Sequence, residues 1–153
     1  MKSDFVIFYF KLFTIYMLSI LYIVIGFKHF LDPLFFMSIM PPMIPLHREL
    51  VYLSGFFEII LGFMLLFPKT RLYASYALIL LLIFVFPANI YLYLSETPRE
   101  ILGISKHQAL IRMPFQFPLI LIAYWHGQAD SKRWFSYFCI FLFIPTIIYF
   151  LSL

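Results

Sequence analysis

The stretch VYLSGFFEIILGFMLLF, residues 51–67, is apolar throughout except for Glu58 near its middle and Ser54 one turn earlier. As an α-helix it covers about 25 Å at 1.5 Å per residue, most of the roughly 30 Å hydrocarbon core of a bilayer. A carboxyl group at that depth costs about 2.5–3.5 kcal/mol on insertion scales, so it is expected to have a partner. Candidates recur at similar depth in other apolar runs: His29, Asn89, Arg112 and Gln116. A helix bundle that brings them together is the economical solution, and their meeting point is where a function is sought.

The composition agrees with that reading. Of 153 residues, 64% are hydrophobic, 22% aromatic and only 12% charged, with a mean hydropathy of +0.98. These values imply an integral membrane protein with one compact domain and no separate soluble one. The net charge of +4 does not point to nucleic acid, because the basic residues sit mostly in short segments between apolar runs, where topology explains them. No basic-aromatic surface on a soluble module is present to bind nucleic acid. Cys139 stands alone, which leaves no disulfide framework and no cysteine metal site. His47, His107 and His126 read as interfacial residues without the ligand spacing of a haem or zinc site. Near the N-terminus Lys2 and a long apolar stretch lack a small-x-small cleavage site, so this segment reads as a retained signal-anchor helix.

Five spanning helices are expected, at 11–30, 49–67, 72–94, 107–126 and 134–153, with residues 5–10 as an interfacial extension of the first. In lipid each backbone donor and acceptor must be satisfied within its own segment, which makes these runs helices. The connection 31–48 holds Pro33, Pro41, Pro42 and Pro45 and is expected to be an ordered, partly extended cap. The stretch 95–106 reads as a polar loop. Lys2, Lys11, Lys69, Arg71, Lys132 and Arg133 fall on one side, against Lys28, Arg48, Arg99 and Lys106 on the other. That bias favours a cytoplasmic N-terminus and an exoplasmic C-terminus. Pro87, Pro114, Pro118 and Pro145 lie inside spans, where neighbouring helices, side chains or water must satisfy the freed carbonyls.

Helical spacing groups the polar residues. Ser54, Glu58 and Gly62 share a face of the second span, with Gly55 beside them, a small-residue face that lets another helix approach closely. Arg112 and Gln116 are one turn apart, as are Asn89 and Tyr93, while Lys28, His29 and Asp32 close the first span. On the proposed topology all these groups belong to the outer half of the bundle. A Glu58–Arg112 pair is geometrically reasonable, since a guanidinium can reach several ångströms along its stem. Asn89 and Gln116 taken singly read as interhelical glue, worth about 0.6 kcal/mol on average.

At these residues the chain resembles the DoxX-like family of small bacterial membrane proteins. The resemblance rests on Gly26-Phe27-Lys28-His29-Phe30, Pro41-Pro42, Val51-Tyr52-Leu53-Ser54-Gly55 running on to Glu58, Pro68-Lys69-Thr70-Arg71, Phe86-Pro87-Ala88-Asn89, and Arg112-Met113-Pro114-Phe115-Gln116 leading to Trp125. It implies an all-α, four-helix transmembrane bundle over residues 1–126, to which residues 127–153 add a short basic loop and a fifth transmembrane helix. It also implies the bacterial inner membrane, a link to redox systems and, by analogy, a quinone or other lipid-like ligand. The absence of a cysteine pair argues against sulfur chemistry.

The function expected is therefore a redox-associated accessory protein binding a small lipid-soluble molecule through His29, Tyr52, Glu58, Asn89, Arg112 and Gln116. The alternative is a non-catalytic structural subunit docking onto a larger membrane complex or onto further copies of itself, with the polar cluster only locking the bundle. An isomerase-like proton transfer by Glu58 is also compatible with the residues. A transporter is disfavoured, because five spans without a repeat leave little machinery for alternating access.

Overall fold

The computed structural model describes residues 2–151, and within them the chain is entirely helical. Seven helices follow in order: α1 (Lys2–Leu31), α2 (Pro33–Ser38), α3 (His47–Leu66), α4 (Arg71–Leu94), α5 (Glu96–Leu102), α6 (Lys106–Gly127) and α7 (Arg133–Leu151). Ser152 and Leu153, the end of the expected last span, lie outside the described residues. Among the described residues three helices are long and apolar enough to cross a bilayer: α1 over Asp4–Leu31, α3 and α4. The apolar part of α7, Arg133–Tyr149, is shorter, and α6 is less apolar because it carries Lys106, His107, Arg112 and Gln116. Phe8, Ile20, Phe63, Phe84, Phe117 and Phe141 all face outward, a surface suited to an apolar surrounding rather than to water.

The five long helices form a closed ring. α1 lies along α3, α3 meets α4, α4 lies along α6, and α7 packs on α6 and reaches back to α1. Ile15, Leu18, Leu61, Leu78, Ile122 and Phe143 meet in the common core. The last of these comes from α7, the segment that the sequence sets apart from the bundle.

Glycine sets the α1–α3 spacing. A Cβ on Gly55 would lie 2.5 Å from His29 Cβ and 2.8 Å from the Gly26 carbonyl oxygen, and one on Gly26 would lie 2.7 Å from the Gly55 oxygen. The small-residue face of α3 thus receives α1, and backbones in such contact gain van der Waals packing that bulkier residues would forfeit.

The two connecting segments contain helices that the sequence reading missed. In 31–48, Asp32 caps α2 by accepting from Phe35 N at 3.3 Å, and Pro33 occupies the first turn, where its missing N–H costs nothing. The chain then turns through Pro41 and Pro42, and His47 Nε2 donates to the Pro41 carbonyl at 3.0 Å. In 95–106, α5 follows α4 after the extended Ser95 and ends at Gly103, whose φ of +64° suits glycine. Arg99 donates to the carbonyls of Tyr93 at 2.6 Å and Leu92 at 3.3 Å, which closes the C-terminal end of α4. α2 and α5 touch, so both lie over the same end of the ring. Residues 5–10 simply continue α1.

Candidate functional site

Beneath α2, between α1, α3 and α4, lies a cavity of about 640 Å³. Its wall is almost wholly apolar, and His29, Ser54, Glu58 and Asn89 supply its polar groups. A second, smaller chamber of about 160 Å³ lies deeper in the ring and is lined by Tyr22, Glu58, Asn89, Arg112 and Gln116. Ile25, Glu58, Val85 and Asn89 line both. The two chambers therefore adjoin at Glu58 and Asn89.

Each polar side chain is positioned by a helix. His29 is buried (6% exposed) at the end of α1, its ring stacked on Phe36 of α2 at 3.6 Å between centroids. His29 Nδ1 lies 2.9 Å from the Ile25 carbonyl. A carbonyl can only accept, so Nδ1 carries the hydrogen, and in the neutral ring Nε2 presents a lone pair. Glu58 Oε2 stands 3.6 Å from the same Nδ1, too far for a hydrogen bond. Among the described residues nothing hydrogen-bonds Glu58 Oε2, Ser54 Oγ or Tyr22 Oη, although all three are buried. Three such atoms inside one pair of chambers is unusual, because buried polar atoms are nearly always paired.

Deeper in, Asn89 Nδ2 donates to Gln116 Oε1 at 2.8 Å, and Gln116 Nε2 donates to the Leu82 carbonyl. Pro87, five residues on in α4, removes the donor for the neighbouring Ile83 carbonyl and so loosens this turn. Gln116 thus bridges α4 and α6 at the proline. This link fixes Asn89 at the junction of the chambers.

The sequence-derived set is brought together only in part. His29, Glu58, Asn89, Arg112 and Gln116 converge on the two chambers. Tyr52 does not line either of them: it stacks on Phe30 at 5.4 Å and its hydroxyl accepts from Arg48 Nε at 3.3 Å. Arg112 interacts with Tyr149 of α7, and the titratable neighbour of Glu58 is His29, so among the described residues the expected Glu58–Arg112 pair is not the one formed. Among the described residues no three His, Cys, Asp or Glu side chains gather as they would to hold a metal ion.

The family model described as a domain of unknown function (DUF8561) matches residues 18–127. The chain belongs to that family. The DUF8561 region contains every residue of both chambers, from Leu21 to Leu119, and leaves α7 outside. No curated protein and no solved structure matches the chain.

At the end of the DUF8561 region a further polar contact escaped the sequence reading, and its partner on α1 lies outside the matched residues. His126, expected at the interface, is 1% exposed, because α1 and α7 close over the end of α6. Thr14 Oγ1 donates to the Lys11 carbonyl at 2.8 Å and lies 3.0 Å from His126 Nε2. With the hydroxyl hydrogen already used, Nε2–H must be the donor to Thr14. Nearby, Trp125 Nε1 donates to Ser136 Oγ of α7 at 3.2 Å. The spacing of Lys11 and Thr14 on one face of α1 was the signal available, and it gave no hint of the partner.

Proposed function

We propose that this protein binds a small lipid-soluble molecule bearing carbonyl or hydroxyl oxygens, quinone-like in character, and serves as a redox-associated accessory protein of the membrane. One observation carries the reading: an apolar cavity of about 640 Å³ in which Ser54 Oγ and Glu58 Oε2 are buried with no hydrogen-bond partner among the described residues. Cavities of roughly 300–1,000 Å³ with an apolar wall and a few convergent polar groups are the usual form of a small-molecule site. The Ser54 hydroxyl would donate to a carbonyl oxygen of such a ligand, Glu58 and the Nε2 lone pair of His29 would accept from a ligand hydroxyl, and Asn89 would hold the passage to Arg112. The redox association and the quinone-like character draw on the resemblance to DoxX-like proteins.

The same reading takes α1, α3, α4 and α6 as a four-helix bundle and α7 as a fifth span, in the bacterial inner membrane with the N-terminus cytoplasmic. Its support is the ring packing and the asymmetry of Lys and Arg.

Titrating a short-chain benzoquinone into the protein in nanodiscs tests the binding role. Saturable binding to the native chain, weakened about ten-fold or more by Glu58→Gln combined with Ser54→Ala, is the expected result. No binding by a folded native chain would reject it and favour the structural-subunit alternative.

A further inference from the structure

We infer that the bound molecule is a single-tailed amphiphile from the bilayer, its oxygen-bearing head lodged in the inner chamber and at the Glu58–Asn89 junction, where its outer edge meets Ser54 and His29, and its tail leaving sideways between α3 and α4. This inference rests on the binding role proposed above and adds to it the class of ligand and its orientation.

The two chambers differ in the chemistry they offer. The inner one presents Tyr22, Glu58, Asn89, Arg112 and Gln116 within about 160 Å³, the space of about five waters at roughly 30 Å³ each. That volume suits one compact ring or head group, and the unpartnered Tyr22 hydroxyl and Glu58 Oε2 suit the oxygens it carries. The outer one is four times larger and almost wholly apolar, which suits a hydrocarbon chain. Because Ile25, Glu58, Val85 and Asn89 border both, one molecule can occupy the two at once.

The exit follows from where α3 and α4 pack together and where the cavity separates their lining residues. The short turn 67–70 joins them, and at that end Leu61, Leu65, Ala74 and Leu78 are buried together. The cavity lies at their other ends, lined by α3 residues 50–58 and α4 residues 81–89. There the rim residues Leu53, Phe57 and Phe84 are 49%, 44% and 71% exposed, on flanks of helices apolar enough to face lipid. Above the cavity, α2 and the following turns contribute Phe36, Met40, Pro41 and Ile44, and Pro41 is itself buried. The end is roofed while the side is apolar and open, so a tail leaves into hydrocarbon.

The test compares two probes on the protein in nanodiscs: an untailed dimethoxybenzoquinone and the same ring with a ten-carbon chain. Ala88→Trp fills the interval from α4, one turn from Phe84. Leu53→Trp narrows it from α3 at an exposed position, and Leu80→Trp, exposed on α4 outside the cavity, is the control. The native chain is expected to bind the tailed probe about ten-fold or more tighter than the untailed one. Both interval variants should lower tailed binding to the untailed level and leave untailed binding within about two-fold, and Leu80→Trp should change neither. Equal binding of the two probes by the native chain, or equal loss of both in the interval variants, would overturn the placement of the tail while leaving the binding role intact. Failure of the native chain to bind either probe overturns both.

Discussion

Glu58 and His29 face each other across the α1–α3 contact at 3.6 Å, and the nitrogen between them, His29 Nδ1, is already committed to the Ile25 carbonyl. The carboxyl group therefore has an electrostatic neighbour without a hydrogen bond. Such an arrangement keeps Glu58 in place while leaving Oε2 free to engage a guest.

Glu58→Gln and His29→Phe should be coupled in thermal melts of the detergent-solubilised protein. His29→Phe keeps the stacking on Phe36 and removes the Nδ1–H. The interaction energy is expected at roughly 0.5–1 kcal/mol, the low end for residues in contact, because the separation exceeds hydrogen-bond length. Glu58→Gln with Arg112→Met should instead add within about 0.5 kcal/mol, since Arg112 turns to Tyr149. A large Glu58–Arg112 coupling would contradict the geometry.

Gly55→Ala should destabilise the bundle by about 1–3 kcal/mol, the usual cost of overpacking. The new methyl would meet the His29 Cβ at 2.5 Å and the Gly26 carbonyl at 2.8 Å, and neither is the far end of a flexible chain. A melting temperature equal to that of the native protein would show that α1 and α3 do not approach at Gly55.

Thr14→Val should cost about 1–3 kcal/mol, because it leaves the buried His126 Nε2–H without an acceptor. Thr14→Ser restores the oxygen and should recover most of that loss. If Val and Ser behave alike, the hydroxyl is not what holds His126, and the contact is one of shape alone.

Much of this was legible in the chain. The cost of a carboxyl group in an apolar run singled out Glu58, and depth along each run placed His29, Asn89 and Gln116 beside it. The pairing was not legible, because it depends on which way a long side chain leans. Arg112 leans toward Tyr149 on a helix that the sequence set apart. Tyr22 was lost among 11 tyrosines, since nothing local distinguishes an inward ring from a lipid-facing one. Tyr52 was drawn in by the motif around it, whereas its position on α3 turns it toward Phe30 and Arg48. The small helices α2 and α5 carried their signals in Asp32-Pro33 and in Ser95 with Gly103, but a membrane reading looks for long apolar runs and passes over short polar ones.

The ring closes between the two ends of the described chain: α7 packs on α1, Arg133 Nε pairs with Asp4 Oδ1 at 2.9 Å, and Lys11 Nζ reaches the Gln128 carbonyl at 2.6 Å. Proteins leave the ribosome N-terminus first, so α1 and α3 can associate early while the seam between α1 and α6 waits for α7. Until that helix packs, Trp125 Nε1 lacks its Ser136 partner. Ring closure is thus the last packing step available to the growing chain, and a chain ending after α6 would leave the flanks of α1 and α6 that α7 covers without their partner.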